Sequence, residues 1–406
     1  MEEAEAAAAA AAMEEAEEPE MVEPIVIGFT SDASGQYANS GAMDRRGMIL
    51  AIDEFNAKGG VLGRPVTYIH YDTETTPATG TRVAQRLIEQ DGVDFLVGAV
   101  SSGVANAISQ VAQEHGVIYF NSNSSSPTES STNCHRTKFV WDGHGGNFAK
   151  ATVLGAVESF GPNWLLLTND YVWGHETSAR TRALAESLGV TIVDELLVPQ
   201  GTRDFSSYLL TIQQQAPDVV AAAVGGDDLK ALRLQVIDQG LDTEMGWINN
   251  QQDWPDVYGT PPFGIFGTTW YYNLELPGVA AFVSAYQDTY GDSSLVVPGN
   301  VYYNGYMATR TLLEAIEAAG TTNNHEVIKT LEGWRWSADE RMQHHDAWID
   351  PDTHHVQQTI YLGTANPDPS DPHDIYTILE AISPDDSLDK GDCVLESFED
   401  TPVFEP

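Results

Sequence analysis

The stretch DFLVGAVSSGVANAISQVAQ, from Asp94 to Gln113, changes character abruptly in its middle. An unbroken apolar run ends at the SSG of residues 101–103, and an amphipathic pattern begins at once. The run is typical of a buried strand, and the pattern that follows has the period of a helix. This stretch therefore predicts a strand that passes directly into a helix, which is the building unit of α/β sheets.

The same unit recurs along the chain. In the first half, IVIGFTS, PVTYIHYDTE and GVIYFNSNSSS read as strands, and they alternate with helical segments such as GAMDRRGMILAIDEFNAKGG and TGTRVAQRLIEQ. In the second half, NWLLLTND, VTIVDELLVP and DVVAAAVGG alternate with helices in the same way. Apolar strands between amphipathic helices predict parallel sheets that are covered on both faces. Two such series predict an α/β protein with two Rossmann-like lobes.

Length and charge narrow the class of protein further. With 406 residues the chain is too long for one simple core, so two domains are expected. The net charge of −41 argues against nucleic acid and anionic membranes as partners, because both would repel the protein. Only six of the basic residues are lysines, which indicates a protein that works at high salt, although a merely acidic protein fits as well. No apolar run approaches the roughly 20 residues that cross a bilayer.

The amino-terminal segment and the two cysteines leave alternatives open. Met1–Glu23 is low-complexity Ala/Glu sequence without the basic region of a signal peptide, and we expect a tail that carries no ligand chemistry. Cys134 and Cys393 are too far apart for a CxxC motif. They form either a long-range disulfide or two reduced thiols.

The strand–helix junctions are the candidate binding positions. In open parallel sheets, ligands bind beyond the carboxyl ends of the strands. Ser101 and Ser102 either cap the following helix or hold an anionic group such as a carboxylate. The polar loop YFNSNSSSPTES adds Asn123 and Ser125, unless it is an ordinary surface loop. Neither GxGxxG nor GxxxxGK[ST] occurs, which argues against nucleotides, and no cofactor is predicted.

From Pro24 nearly to its end, the chain resembles the solute-binding proteins of ABC importers in the branched-chain amino acid (Leu/Ile/Val-binding) family. The segment IGFTSDASGQYANSGAMDRRGMILAIDEFNAKGGVLGRPV matches the opening signature of that family, and NDYVWG and TRDFSSYL are typical of its second lobe. The resemblance implies a type I periplasmic binding fold, in which two lobes joined by a multi-strand hinge close on a small solute. Such a protein, expected as a monomer on the periplasmic or extracellular face of the membrane, delivers its solute to ABC permease subunits.

The resemblance also implies how the chain is divided. Lobe 1 is expected from residues 24–142 and 273–336, and lobe 2 from residues 143–272 and 337–380. Residues 381–406 are expected as a carboxyl-terminal tail that returns to lobe 1.

The family holds the carboxylate of an amino acid with hydroxyls and amides of the first lobe, which correspond here to Ser101, Ser102, Asn123 and Ser125. The second lobe usually supplies an aromatic and an acidic residue. Its candidates here are Tyr171, Asp227, Asn250, Gln251 and, as a lid near the hinge, Trp270.

The identity of the solute stays open at this point. Relatives often carry a glutamate in the loop that reads NNQQD here, from Asn249 to Asp253. Asp227 and Asp253 are the candidates to pair with an ammonium, since a buried cation needs a partner. The amides suit an amide, a urea-like compound or an aromatic acid as well. A ligand-sensing receptor or regulator module of the same fold is the alternative function.

A subset of the family carries cysteines in contexts like NCHRTKF and DCVLESF. This favours a disulfide between Cys134 and Cys393 that fastens the tail to the first lobe. In the chain-entropy model, such a link stabilises the fold because it restricts the unfolded chain.

Two rival interpretations find less support. An enzyme with a nucleophile would need a GxSxG elbow or a cysteine with a placed histidine, and neither occurs, so no catalytic activity is predicted.

The segment RMQHHDAWIDPDTHH concentrates histidines at 344, 345, 354 and 355. Adjacent side chains on a strand point to opposite faces, so three or four of them do not easily converge on a metal, and a structural role is predicted.

Overall fold

The computed structural model describes residues 22–251, 253, 260, 262–369 and 371–405. Of the predicted tail, Met1–Glu23, all but the last two residues lie outside the described part of the chain. Among the helices of the described part, none has the length and apolar character that a bilayer crossing needs.

A five-stranded parallel sheet forms the first half of the fold, in the order β2-β1-β3-β4-β5. Its strands are β1 (Ile25–Phe29), β2 (Val66–His70), β3 (Phe95–Gly98), β4 (Tyr119–Asn121) and β5 (Lys138–Val140). The helices between them are α1 (Ala38–Asn56), α2 (Pro77–Glu89) and α3 (Ser102–His115), and a 3-10 helix spans Pro127–Ser130. The stretch that opened the sequence analysis forms β3 and α3, as predicted.

The sheet is buried on both faces. Phe95 of β3 packs in one core cluster together with Met48 of α1. The next residue, Leu96, packs in a second cluster together with Ile108 of α3. Because successive side chains of a strand point to opposite faces, helices must cover both sides of the sheet. The amphipathic faces predicted for these helices are therefore the buried ones.

A seven-stranded sheet forms the second half, in the order β15-β14-β10-β9-β8-β6-β7. Its parallel strands are β6 (Asn163–Asn169), β7 (Thr191–Val198), β8 (Val219–Ala223), β9 (Gly246–Asn249) and β10 (Ile265–Thr268). The helices here are α4 (Gly145–Ser159), α5 (Val172–Ser187), α6 (Ser206–Gln215) and α7 (Gly226–Asp238). We call the five-stranded sheet with its helices lobe 1, and the seven-stranded sheet with its helices lobe 2.

After β10 the chain returns to lobe 1 and adds three helices. They are α8 (Val279–Tyr290), α9 (Asn300–Ala319) and α10 (Asn324–Leu331). Helix α9 packs against α1 with almost no space between the backbones, since a Cβ atom at Gly47 would lie 2.1 Å from the carbonyl oxygen of Tyr302. Only glycine permits this approach.

The connection between the lobes contains a small antiparallel sheet. Its strands are β11 (Arg335–Trp336), β12 (Ala347–Ile349) and β13 (Val356–Gln357), and α11 (Ala338–Arg341) lies between the first two. The chain then completes the sheet of lobe 2 with β14 (Ile360–Ala365) and β15 (Tyr376–Ile382), and α12 (Pro384–Ser387) follows.

The carboxyl-terminal segment returns to lobe 1. Cys134 and Cys393 form a disulfide, which confirms the predicted pairing. Farther along, Asn324 of α10 donates to the carbonyl oxygen of Pro402 at 2.8 Å and accepts from the backbone of Phe404 at 2.9 Å. The boundaries assigned to the lobes remain a prediction.

Candidate ligand-binding site

The candidate site lies where the carboxyl ends of the two parallel sheets meet. Ser125, in the loop after β4, donates to Oε1 of Gln251, in the loop after β9, at 2.5 Å. Tyr37, before α1, and Tyr171, before α5, bring their hydroxyl groups to 2.5 Å from each other. Both contacts join lobe 1 to lobe 2. The junctions named from the sequence therefore face one another across the boundary between the lobes.

Ser101 and Ser102 lie at the start of α3, and both are buried. Ser101 occupies the N-cap position, but its side chain makes no capping hydrogen bond, so the capping role considered from the sequence is wrong. The hydroxyl of Ser102 instead lies 2.9 Å from that of Ser124. The hydroxyl of Ser101 therefore does not cap α3, and that of Ser102 contacts the loop after β4.

Asn123 belongs to a polar network beneath the loop after β4. Its amide donates to Asp44 of α1 at 2.7 Å, and its oxygen accepts from Asn304 of α9 at 3.1 Å. Burial raises the pKa of Asp44 to about 7, although hydrogen bonds from Ser31 and Ser122 lower it. Asn123 therefore links α1 to α9 inside lobe 1.

Two carboxylates converge on Gln251. Its Nε2 donates to Asp142 at 2.8 Å and to Asp253 at 3.1 Å. Asn304 also donates to Asp142, at 2.9 Å, and Asn300 donates to Asp253, at 2.6 Å. The hydroxyl of Thr269 donates to Asp142 as well, at 3.0 Å, and all of these donors are electrically neutral.

The pKa values reflect this environment. Burial, and next the charge of Asp253, raise the pKa of Asp142 well above its ordinary value. Burial also raises the pKa of Asp253. The physical cause is that a carboxylate loses its hydration in the interior and here faces a second carboxylate nearby.

Asn250 points away from lobe 1. Its side chain is buried and donates to Thr181 of α5 at 2.7 Å. It thus anchors the loop after β9 to that helix, next to Gln251.

Asp227 and Trp270 lie in surroundings that differ from those expected. Asp227 starts α7 with 39% of its side chain exposed, and Arg203 donates to its carboxylate at 3.1 Å. Trp270 is 1% exposed and stacks on Tyr303 of α9, with ring centroids 5.2 Å apart. The core encloses Trp270, so its ring does not form the lid that was expected near the hinge.

The sequence analysis did not predict that one polar face of α5 is buried. Trp173, Thr177 and Thr181 follow one another at helical spacing, and all three are buried. Within the described residues, Nε1 of Trp173 and Oγ1 of Thr177 have no hydrogen-bond partner. Their i, i+4, i+8 spacing is visible in the sequence, but a polar i+4 pattern more often indicates an exposed helix face than a buried one.

The lobes are closed on each other around Gly225 and Gly226. Gln36 of lobe 1 donates to the carbonyl oxygen of Gly225 at 2.9 Å and accepts from the backbone of Asp227 at 3.3 Å. Gly226 has a φ of 59°, and a Cβ atom there would lie 2.9 Å from the carbonyl oxygen of Gln36. Glycine at this position therefore permits the closed arrangement.

The histidine-rich segment contributes to packing. His354 stacks on Phe139 of β5, with ring centroids 4.3 Å apart, and His355 lies 2.8 Å from the carbonyl oxygen of Asp142. In the part of the chain that the structure describes, no three His, Cys, Asp or Glu side chains are grouped so that they could hold a metal ion.

Comparison with known proteins shows which family the chain matches. Residues 24–370 match the family model described as periplasmic binding protein. The Leu/Ile/Val-binding protein BraC3 of Rhizobium johnstonii is 27% identical over 315 residues, which cover 75% of this chain and 82% of that protein.

Solved structures show the same fold. A periplasmic binding protein from Burkholderia mallei superposes with a TM-score of 0.82 at 22% identity, covering 93% of this chain and 98% of that one. A solute-binding protein of an ABC transporter from R. palustris, in complex with benzoate, has a TM-score of 0.79 at 19% identity, covering 91% of this chain and 99% of that one.

Proposed function

Because this chain belongs to the periplasmic binding protein family, we propose that it is the solute-binding component of an ABC importer and that its solute carries an ammonium group. The observation that carries the proposal is the convergence of Asp142 and Asp253 on the amide of Gln251. In this proposal the solute is bound between the lobes and released unchanged to a membrane permease.

Charge compensation favours an ammonium group at this position. Neutral amides stabilise two buried carboxylates only partly, and each carboxylate disfavours ionisation of the other. An ammonium group at this position would compensate both charges at once. Asp253 is thus a better candidate than Asp227, which is exposed to solvent and already paired with Arg203.

The nature of the relatives agrees with an amino acid as the solute. BraC3 is named as a binding protein for leucine, isoleucine and valine. The R. palustris protein was solved with benzoate, which has a carboxylate but no ammonium. An acid of that kind would bring a further negative charge toward Asp142 and Asp253, and we therefore favour the amino acid.

Closure supplies the signal for transport. A solute that contacts both lobes binds more tightly to the closed form than to the open form and so shifts the population toward it. The contact of Ser125 with Gln251 joins the lobes next to the two carboxylates. The permease then recognises the closed form.

Proton exchange tests the proposal directly. We would titrate refolded, ligand-free protein with L-leucine and with benzoate in two buffers of different ionisation enthalpy, near neutral pH. An ammonium group favours the ionised carboxylates, so binding of leucine should release protons. Binding of benzoate should release none, since its charge favours the protonated forms.

Two variants locate the effect. Asp253→Asn should reduce the proton release, leaving only the part that comes from Asp142, and weaken leucine binding by about 10- to 100-fold, as expected for the loss of a hydrogen bond to a charged group. Asp227→Asn is the matched control and should retain both. Tighter binding of benzoate than of leucine, or a larger loss in the control than in Asp253→Asn, would overturn the proposal.

A further inference from the structure

After α12 the chain passes from lobe 2 to lobe 1 in a short segment. We call this segment, LDKGDC at residues 388–393, the strap. Asn147 of α4 donates to the carbonyl oxygen of Ser387, just before the strap, at 2.7 Å. Farther along the same helix, Nζ of Lys150 contacts the carbonyl oxygen of Leu388. The first end of the strap is therefore held on lobe 2.

The other end of the strap is bonded to lobe 1. Cys393 forms the disulfide with Cys134, which lies in the segment before β5. Gly391 packs closely on the end of the 3-10 helix, where a Cβ atom would lie 2.7 Å from the carbonyl oxygen of Ser130. A covalent bond thus ties lobe 1 to a segment that begins on lobe 2.

Between its ends the strap runs beside the connection between the lobes. Nζ of Lys390 lies 2.6 Å from Oδ2 of Asp350, which follows β12 in the small antiparallel sheet. Nε2 of His144, at the start of α4, lies 3.1 Å from the carbonyl oxygen of Asp389. The carboxylate of Asp389 also lies 3.5 Å from Nε of Arg180, on α5. The strap therefore contacts lobe 2 and the connecting sheet before it reaches lobe 1.

The strap is too short to follow a wide rotation of the lobes. Even when fully extended, the chain from Leu388 to Cys393 spans at most about 18 Å. When two lobes rotate apart about a hinge, points that are fixed to different lobes move away from each other. Hydrogen bonds at the ends of the strap can break during this movement, but the disulfide does not dissociate. The strap becomes taut once the slack in its short chain is used.

We propose that the strap limits how far the lobes open and thereby favours the closed form. The closed arrangement satisfies the contacts of Asp389 and Lys390 together with the disulfide, whereas a wide opening would break these contacts or stretch the chain. A restraint that excludes open conformations lowers the entropy of the open form and so raises the population of the closed one. This inference goes beyond the proposed function, because it requires movement of the lobes but no particular solute.

A longer strap tests the proposal while it keeps the disulfide. Insertion of GSGSGS between Lys390 and Gly391 preserves the anchoring residues on both sides and about doubles the length of the strap. The same insertion between Gly320 and Thr321, in the turn between α9 and α10, is the matched control. Gly320 is exposed, and no atom lies within 4 Å of a Cβ atom added there. Insertion of GSG at the same two places provides a milder pair if thermal unfolding shows that a longer insertion prevents folding.

The first measurement needs no solute. Pulsed electron paramagnetic resonance gives the distances between a spin label at position 58 of lobe 1 and one at position 186 of lobe 2, both of which are exposed. Labels attached to keto amino acids leave the disulfide intact. In ligand-free protein, the longer strap should add long distances that are absent from the wild type and from the control. An unchanged distribution, or the same widening in the control, would overturn the proposal.

The affinity for L-leucine provides a second readout. Doubling the length of a flexible connection should weaken leucine binding about threefold, because the open form gains conformations that the short strap excludes. Calorimetric titration should show this loss in the strap variant and not in the control, and equal dissociation constants would contradict the shift toward the closed form. Failure of leucine to bind the wild-type protein would count against the proposed function alone, since the distances in ligand-free protein still decide whether the strap restrains the lobes.

Discussion

The hydroxyl groups of Tyr37 and Tyr171 lie 2.5 Å apart, and they join the two lobes at a place that neither sequence segment reveals alone. Tyr37 follows β1 in lobe 1, and Tyr171 precedes α5 in lobe 2. With the contact of Gln36 and Gly225, this pair gives the closed form hydrogen bonds of its own. The solute therefore does not have to provide all of the free energy of closure.

The tyrosine contact should set the balance between open and closed forms. Tyr171→Phe removes one interlobe hydrogen bond, which is worth about 0.5–1.5 kcal/mol, and should weaken solute binding by about 2- to 10-fold. Small-angle X-ray scattering should show a larger radius of gyration for the ligand-free variant. Tyr208→Phe, on α6, is the control. An unchanged affinity and radius would show that the contact does not restrain the lobes.

Closure should also fail when a side chain is added at Gly226. A Cβ atom there would lie 2.9 Å from the carbonyl oxygen of Gln36, so Gly226→Ala should block the closed form and reduce solute affinity at least tenfold. Gly240→Ala is a matched control, because Gly240 also has a positive φ, of 72°, but no atom within 4 Å of the added Cβ. Both changes carry the same kind of backbone strain. Calorimetric titration of the solute should show a loss of affinity in Gly226→Ala and not in Gly240→Ala. Equal losses of affinity in the two variants would contradict the steric explanation.

The disulfide should contribute strongly to stability. Cys134 and Cys393 are separated by 259 positions, and the chain-entropy model gives about 5.5 kcal/mol for a loop of this length. The double variant Cys134→Ser with Cys393→Ser should lower the free energy of unfolding by that amount in urea titration. Thiol titration of the unfolded wild-type protein should find no free thiol before reduction. A free thiol at that stage would contradict the pairing.

Asp44 should make stability depend on pH. Its pKa is raised by burial to about 7 in the folded protein, so between about pH 4 and 7 the folded state holds a proton that the unfolded chain has released. The stability that this proton provides is complete below the unfolded pKa and is lost as the pH rises through the folded pKa.

The measurement is urea unfolding at pH 5 and pH 8. Wild-type protein should lose more stability between these two values than Asp44→Asn, by about 2–3 kcal/mol. Asp288→Asn, at an exposed position of α8, should behave like the wild type. Equal pH dependence in Asp44→Asn and in the wild type would refute the role of Asp44.

The sequence predicted the helices and strands well, because each of them depends on the pattern of apolar and polar residues that are close together in the chain. The apolar run and the amphipathic pattern of Asp94–Gln113 reappear as β3 and α3. Their alternation was enough to indicate a parallel sheet, since only helices on both faces can bury such strands. The resemblance to a family then supplied the pairing of the two cysteines, which spacing alone had left open.

The site was predicted less completely, because it depends on which distant side chains meet. The sequence suggested that Trp270 is a lid near the hinge, yet its ring stacks on Tyr303 in the core. Asp227 looked available to a cation, but Arg203 pairs with it. Asp142 was not singled out, although it shares the amide of Gln251 with Asp253.

The sequence by itself determined the α/β class and the order of the elements, and it predicted the strand–helix junctions at which we propose that a solute binds. Hydrophobic periodicity and the passage from a strand into a helix are properties of neighbouring residues, so they can be read from the sequence wherever the strand lies in the sheet. Only the tertiary structure decided which carboxylate has a cationic partner and which lies among neutral hydrogen-bond donors. These properties arise from contacts between residues far apart in the chain, such as Ser125 with Gln251, and they exist only once the two lobes have come together.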